Sequence, residues 1–228
     1  MKRILALILC VILMALSMTS CNQEQTPELD YCTYKTVRNT EGRNVGYVEM
    51  SIKGYGKVVF LLDHTTAPKT VERFVGLVKG GYYDTPTEDD GKLHGNTFHI
   101  VQPDWVIQGG CYYKNGTSVA GEELFGEFAN NGWENDISLK RGVIAMVRGN
   151  DYNSASYQFF VCHKDLPELD GQYAAFGYVI EGMNVLDRVI EDYVEHANTE
   201  MAYIIEDEKF QPQIEYFRWI KTWDGTHS

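Results

Sequence analysis

Residues 98–110 read FHIVQPDWVIQGG, and this stretch decides how the rest of the chain is interpreted. Apolar and polar residues alternate along it, which is typical of a β-strand with one buried face. Pro103 interrupts the alternation, and Gly109 and Gly110 follow it, so we expect the strand to break once and to stop where the backbone turns. The pattern predicts a small apolar surface with one amide, Gln108, beside it.

Apolar stretches elsewhere in the chain predict further β-strands. Residues 47–62 alternate twice around the turn sequence GYG at 54–56, which indicates a β-hairpin. Residues 142–147 and 158–162 are apolar strands, expected to be buried. Residues 213–222 are predicted to form a closing strand that pairs with an N-terminal strand and completes a barrel.

Two segments have the periodicity of amphipathic helices. Residues 67–81 carry Pro68 in the first turn and end in a glycine pair, the usual signals for the start and stop of a helix. Residues 182–190 predict a second helix. The residues expected on the buried faces are Val71, Phe74, Val75 and Val78 in the first helix and Val185, Leu186, Val189 and Ile190 in the second.

Polar segments between these elements predict loops. Residues 84–95 are acidic, and their carboxylates could bind calcium. Their spacing is not that of an EF-hand, so we interpret the segment as a solvated insertion. Residues 111–136 are rich in glycine, asparagine and glutamate and predict long loops with one helical turn at 126–128.

The N-terminal segment has the composition of an export signal. Lys2 and Arg3 precede an apolar run at 4–18, and small residues then lead to Cys21. This resembles a bacterial lipoprotein signal, in which the cysteine becomes the lipidated first residue. A plain signal peptide and an N-terminal membrane anchor remain alternatives. The expected organisation is a lipoprotein-type signal peptide at 1–20, a lipidated tether and linker at 21–43, and one domain at 44–228.

Charge and cysteine usage exclude some classes of function. The formal net charge is −12, and it would become −14 without Lys2 and Arg3. A surface this acidic argues against nucleic-acid binding, which needs a basic surface. Cys32, Cys111 and Cys162 have no metal-like spacing. One disulfide between two of them is an open alternative, and three small buried thiols are the favoured interpretation.

The histidines give no pattern for a catalytic thiolate or a metal site. Cys162 and His163 are neighbours on a predicted strand, so their side chains should point to opposite faces. His94 and His99 lack further ligands at a suitable spacing and are interpreted as ordinary loop and strand residues.

Together these segments resemble the cyclophilin family of peptidyl-prolyl isomerases. The family signature reads Phe-His-Arg-x-x-Pro-x-Phe-Met-x-Gln-Gly-Gly, and residues 98–110 follow it except at three positions. Ile100 stands where the family carries its catalytic arginine, Trp105 replaces the aromatic residue and Val106 replaces the methionine. The first predicted helix is similar to the family's Ala-Pro-x-Thr-Val-x-x-Phe, and residues 158–160 and 169–171 match its Gln-Phe-Phe and Leu-Asp-Gly. The resemblance extends from about 45 to 189. It implies a mainly β fold, a closed eight-stranded antiparallel cyclophilin-like barrel capped by two α-helices.

The resemblance also implies a site for an X-Pro peptide. Gln108 would hold the peptide, and Ile100 occupies the position of the missing catalytic donor. Arg148 follows the strand beside the pocket, and its guanidinium could supply the donor or could be an ordinary solvated group. Without the resemblance, the apolar members would be core residues of any barrel. The residues expected to bind substrate are Trp105, Val106, Val147, Gln158, Phe160, Leu169 and Tyr173.

The implied function is peptidyl-prolyl cis-trans isomerisation of exported polypeptides, weakened by Ile100. A non-catalytic module that binds proline-containing segments, or an envelope chaperone, is the alternative. The reaction needs no cofactor and no metal, because it rotates an amide bond without breaking it. We expect a monomer in the bacterial cell envelope, bound to proline-containing polypeptide segments and attached to the membrane only through the lipid on Cys21.

Overall fold

The computed structural model describes residues 32–33, 44–84, 96–114, 117–118 and 121–220. Two α-helices lie in these ranges, α1 (Pro68–Lys79) and α2 (Met183–Tyr193). The strands are β1 (Cys32–Thr33), β2 (Asn44–Ile52), β3 (Gly56–Asp63), β4 (Asn96–Val101), β5 (Val106–Lys114), β6 (Thr117–Ser118), β7 (Val143–Met146), β8 (Phe159–Cys162), β9 (Ala175–Glu181) and β10 (Gln213–Ile220). Short 3₁₀ helices occupy Ala129–Asn131, Pro167–Leu169, Val194–His196, Thr199–Met201 and Glu208–Phe210.

Eight of the strands form a closed antiparallel barrel. Their order is β2, β10, β4, β5, β8, β7, β9 and β3, and β3 pairs again with β2. Ile52 on β2 lies opposite Ile214 on β10 and opposite Gly56 on β3. The predicted barrel is therefore confirmed, and the C-terminal strand pairs with an N-terminal strand as expected.

The N-terminal region is described only in part. β1 falls within the predicted linker and pairs with β2, with Cys32 opposite Val45 and Thr33 opposite Asn44. The predicted signal peptide, the rest of the linker and residues 85–95 of the acidic loop lie outside the described residues. Within the described ranges, no helix has the length and apolar character needed to cross a bilayer.

Aromatic side chains fill the interior of the barrel. Phe159 on β8 and Phe217 on β10 are fully buried, with ring centroids 5.6 Å apart in an edge-to-face arrangement. Phe74 of α1 meets these two rings at 5.8 and 5.5 Å, again edge to face, the geometry that aromatic quadrupoles favour. Both helices bury their predicted faces in this core through Val71, Phe74, Val75 and Val78 of α1 and Val185, Leu186, Val189 and Ile190 of α2.

The prediction that the strand at 98–110 stops at the glycine pair is wrong. The chain turns earlier, at residues 102–105, where Asp104 has φ 55°, and β5 then continues through both glycines to Lys114. The glycines permit close packing: a Cβ at Gly110 would lie 2.9 Å from Cδ1 of Phe159. The glycine pair therefore marks the place where β5 approaches the aromatic core.

The predicted loop at 111–136 also differs from the structure. β5 and β6 take part of it, and the predicted helical turn at 126–128 is absent. The chain is extended at Phe128, and the helical turn follows at Ala129–Asn131. A Cβ at Gly126 would lie 2.3 Å from the carbonyl oxygen of Tyr152. This segment therefore packs tightly against the loop that contains Tyr152, and it is extended there instead of helical.

The extended segment places a buried carboxylate at the start of α1. Glu127 is fully buried, and its two oxygens accept hydrogen bonds from the backbone N–H groups of Lys69 and Thr70 at 3.1 and 2.8 Å. The hydroxyl of Thr70 donates a third hydrogen bond at 2.7 Å. The first N–H groups of a helix have no partner within the helix, and they carry its positive dipole end. Glu127 therefore fixes α1 against the loop that covers the outer face of the barrel.

We predict that Glu127→Gln lowers the free energy of unfolding by about 1–3 kcal/mol. The glutamine side chain has only one oxygen acceptor, so one of the buried donors of α1 loses its partner. Glu122→Gln is the matched control, since Glu122 is exposed and forms an ion pair with Arg73 of α1 on the protein surface. That change should cost less than about 0.5 kcal/mol. Urea unfolding of the two variants measures the difference, and equal stabilities would contradict the anchoring role.

Candidate active site

A row of paired residues crosses the outer face of the barrel. Ile100 on β4 lies opposite Gln108 on β5, and Gln108 lies opposite Phe160 on β8. Phe160 lies opposite Ala145 on β7, which lies opposite Ala175 on β9. Directly opposed residues of a sheet point to the same face. Most of the residues next to them in sequence, among them Ile107, Phe159 and Val161, belong to the interior core. The row therefore faces outward.

Loops cover this outer face and create a second hydrophobic core. The carboxylate of Asp170 accepts hydrogen bonds from the backbone N–H of Leu139 at 2.6 Å and from the hydroxyl of Ser138 at 2.8 Å. The amide of Asn135 donates to the carbonyl oxygen of Ala175 at 2.9 Å, which fastens the same loop to the sheet. The outer core contains Val106, Ile137, Leu139, Val143, Ala145, Phe160, Cys162, Leu166 and Ala175.

A pocket with a volume of about 160 Å³ opens at the edge of the outer core. The rings of Phe160 and Tyr173 meet edge to face in its wall, with centroids 5.3 Å apart. The pocket gathers nearly all the residues that the sequence proposed for substrate binding, together with Arg148 and Gln108. Its lining is Trp105, Val106, Gln108, Val147, Arg148, Phe160, Leu169 and Tyr173.

Two amides and a histidine form a polar edge beside the pocket. The side-chain nitrogen of Gln108 donates to Oε1 of Gln158 at 3.0 Å and lies 3.2 Å from Nε2 of His99. Gln158, the remaining predicted substrate-binding residue, lines an adjoining pocket of about 320 Å³. These contacts fix the orientation of the Gln108 amide toward the apolar pocket.

His99 is uncharged at neutral pH, because burial lowers its pKa from 6.5 to about 4. A neutral ring can accept a hydrogen bond from Gln108 at Nε2, which puts the proton on Nδ1. Nδ1 is buried and has no hydrogen-bond partner among the described residues. The sequence interpretation of His99 as an ordinary strand residue missed this contact, and only the register of β4 against β5 reveals it.

Arg148 lies at the rim of the pocket with its guanidinium held in place. Nε donates to the carbonyl oxygen of Gln172 at 2.8 Å, and Nη1 donates to that of Gly149 at 2.9 Å. Cζ lies 4.9 Å from the ring centroids of both Tyr152 and Tyr173, within the range of cation–π attraction. Nη2 has no hydrogen-bond partner in the described part of the chain, and these contacts distinguish Arg148 from a freely solvated side chain.

The turn that carries Trp105 is fixed by a network that the sequence analysis missed. The backbone N–H of Asp104 donates to Nδ1 of His163 at 2.9 Å, and the N–H of His163 donates to the carbonyl oxygen of Trp105 at 2.7 Å. Since Nδ1 accepts, Nε2 carries the proton that bonds to Asp187 of α2 at 3.0 Å. Arg141 donates to both oxygens of Asp187 at 2.7 Å. One wall of the pocket is thus attached to a helix.

Cys162 does not provide a thiolate next to His163. It is a free, buried cysteine in the outer core, and burial raises the pKa of its thiol to about 12. The histidine instead bonds to Asp187. Within the described ranges, no group of three or more histidine, cysteine, aspartate or glutamate side chains is placed to hold a metal ion. His94 lies outside those ranges.

The fold and the site together define a class of protein. The protein is a closed antiparallel barrel with a small apolar pocket on its outer face, and amide groups and a fixed guanidinium border this pocket. Such a pocket suits a small apolar ring within a peptide, because the polar edge can bond to the peptide groups on either side of the ring.

Comparisons with known proteins identify the family. The family model for cyclophilin type peptidyl-prolyl cis-trans isomerases matches residues 47–209. A peptidyl-prolyl cis-trans isomerase of Helicobacter pylori is 37% identical over 136 residues, which cover 59% of this chain and 74% of that protein. Peptidyl-prolyl cis-trans isomerase A of Dickeya dadantii is 34% identical over 146 residues, covering 62% and 70%. The chain therefore belongs to the cyclophilin family and has its peptidyl-prolyl cis-trans isomerase activity.

Solved structures agree with the fold. A cyclophilin type peptidyl-prolyl cis-trans isomerase of Cryptosporidium parvum superposes with a TM-score of 0.58 at 23% identity. The match covers 77% of this chain and 98% of that one. The barrel fold is thus shared with that protein.

We predict that His99 makes the folded protein less stable in mild acid. Between about pH 7.5 and pH 5.5 the unfolded chain takes up a proton at this histidine that the folded chain, with its lowered pKa, does not. The free energy of unfolding should therefore fall by on the order of 1 kcal/mol over this interval. In His99→Gln, which keeps a partner for Gln108, this part of the decrease should vanish. Urea unfolding at the two pH values measures it, and identical decreases in both proteins would contradict the assignment.

Proposed function

We propose that the pocket between Trp105 and Phe160 holds the proline ring of an X-Pro segment while Gln108 and Arg148 bond to its peptide groups. Rotation about the X-Pro bond faces a barrier of about 20 kcal/mol, because amide resonance is lost in the transition state. The prolyl nitrogen then gains electron density and can accept a hydrogen bond. A protein accelerates the rotation by gripping the ring and aiming a donor at that nitrogen.

Arg148 is our candidate for this donor. Ile100 has no hydrogen-bond donor in its side chain, and loss of a preorganised donor commonly costs a hundred- to a thousandfold in rate. Arg148 lines the same pocket, and two of its nitrogens are fixed by carbonyl oxygens. The observation that carries the proposal is that Arg148 lines the pocket with Nε and Nη1 fixed by carbonyl oxygens, while Nη2 makes no hydrogen bond to the described residues. A fixed donor needs little reorganisation when the transition state forms.

We predict that Arg148→Gln slows catalysed exchange of a proline peptide about a hundredfold, since the fixed donor is removed. Ile100→Arg should raise the rate at least about tenfold by supplying the donor at the family's position. Arg188→Gln is the matched control. Arg188 lies on α2 and donates to the carbonyl oxygen of Tyr55, and it does not line the pocket, so this variant should keep the native rate. Exchange spectroscopy by NMR measures all four proteins.

Two outcomes would contradict the donor role. A full rate in Arg148→Gln would exclude Arg148 as the donor. Peptide resonances that shift on binding to the native chain without any exchange would instead favour a non-catalytic module for proline-containing segments. In that case, a gain of catalysis in Ile100→Arg would identify the missing donor as the cause.

We further propose that the protein is exported and anchored in the bacterial cell envelope by a lipid on Cys21, where it acts as a monomer on exported polypeptides. The basic and apolar composition of residues 1–18 and the position of Cys21 support the anchor.

We predict that Cys21→Ser releases the protein from the membrane fraction, because the lipid supplies the attachment. Cys32→Ser, which removes a cysteine beyond the predicted lipidation site, should leave it bound. Mass spectrometry of the N-terminal peptide and cell fractionation measure the effect. Membrane retention of Cys21→Ser with residues 1–20 still present would support a membrane anchor instead of a lipid.

A further inference from the structure

The chain after α2 adds a compact turn to the edge of the site. Residues 198–204 close on themselves, with the N–H of Asn198 donating to the carbonyl oxygen of Ile204 at 2.8 Å and the N–H of Tyr203 donating back to that of Asn198 at 3.0 Å. Ala202 and Tyr203 adopt positive φ angles of 55° and 59°, which tighten the turn.

This turn pairs with β4 at the position where the family's arginine is missing. The N–H of Ile205 donates to the carbonyl oxygen of His99 at 2.8 Å, and Ile100 forms an antiparallel bridge with Ile204. Opposed residues in an antiparallel pair have Cβ atoms about 4.5–5.5 Å apart on one face. Ile205 is buried at 1% exposure, and successive residues of an extended chain point to opposite faces, so Ile204 faces outward.

Ile204 therefore extends the row that runs through the active site. The order across the outer face is Ile204, Ile100, Gln108 and Phe160. Ile100 and Ile204 are both partly exposed, and we call this pair the isoleucine shelf. Where a donor would stand, the protein presents two neighbouring aliphatic side chains to solvent beside the proline pocket.

We infer that the isoleucine shelf binds an apolar side chain of the substrate, so that the protein selects X-Pro segments with a bulky aliphatic or aromatic residue close to the proline. The inference rests on the proposed use of the pocket for the proline ring. Paired strands lie about 4.8 Å apart, which puts the shelf about 5–10 Å from Gln108. An extended peptide advances about 3.5 Å per residue, so side chains one to three positions from the proline reach the shelf.

The physical basis of the selection is desolvation. An aliphatic side chain placed on two isoleucines removes apolar surface from water on both partners. A charged or strongly polar side chain there would lose hydration without gaining a hydrogen bond, because neither isoleucine side chain can donate or accept one. With isoleucine in place of the arginine, the shelf therefore favours substrates that carry apolar side chains near the proline.

The test uses the full chain in detergent and four otherwise identical proline peptides with leucine or serine placed two positions before or two positions after the proline. NMR titration gives the dissociation constant for each peptide. Half-burial of a leucine side chain predicts about tenfold tighter binding of one leucine peptide than of its serine counterpart. In Ile204→Thr the ratio should fall to about two- to threefold. Met201→Ser is the matched control, because Met201 is exposed on the same turn but lies outside the row, and it should keep the tenfold ratio.

A direct contact in the native chain supplies a second measurement that does not depend on the folding of a variant. Nuclear Overhauser contacts between the leucine methyl groups of the bound peptide and the methyl groups of Ile100 and Ile204 are expected. Binding of all four peptides with equal affinity, or a tenfold ratio that survives Ile204→Thr, would overturn the shelf and leave the proposed function standing. Failure to bind any peptide would overturn both.

Discussion

The close approach of β5 to β8 is the constraint on which the rest of the structure depends. At Gly110 a side chain would collide with the ring of Phe159, which lies 2.9 Å from the position that a Cβ would take. Because glycine stands there, Phe159 can occupy the barrel interior against Phe74 and Phe217. With Phe159 inside, strand alternation forces Phe160 outward and into the wall of the pocket.

The wall of the closed barrel thus separates the interior core from the outer core. The interior core stabilises the fold and accepts the apolar faces of both helices, whereas the outer core is built from the opposite face of four strands and from loops. The loops that complete the outer core are held in place by hydrogen bonds to buried or partly buried carboxylates. Glu127 attaches its loop to α1, and Asp170 joins the segments on either side of the site. The pocket lies at the edge of this second core, and its apolar lining belongs to the outer core or packs against it.

The site departs from the family signature at Ile100, Trp105 and Val106, and the departure at Ile100 has two structural consequences. Ile100 removes a donor, while Arg148 presents a guanidinium whose other nitrogens are already fixed by backbone carbonyl oxygens. The same isoleucine also pairs with Ile204, so the vacated position becomes continuous with an apolar surface. In our proposals the same substitution removes the donor at the prolyl nitrogen and provides a surface for neighbouring side chains, which links the rate to the substrate preference.

Much of the architecture was determined by the sequence alone. Hydrophobic patterning located both helices and most of the barrel strands, because burial of one face leaves a regular spacing of apolar residues. The resemblance at 98–110 and 158–160 by itself placed Gln108, Phe160 and the other pocket residues in one site. Local sequence could not show that the glycine pair lies within a strand, since a glycine needed for close packing and a glycine needed for a turn look the same.

Only the tertiary structure decided the contacts that depend on register and on loops distant in sequence. His99 meets Gln108 because a bulge in β4 shifts its pairing with β5. His163 fixes the turn at Asp104 across 59 residues of chain, and Ile204 joins Ile100 from beyond the second helix. No periodicity encodes such pairs, because each is set by how separate elements pack and not by the spacing of residues along one element. The sequence therefore determined the barrel and the membership of its pocket, whereas the packing of loops and strand edges decided how the pocket is held and what borders it.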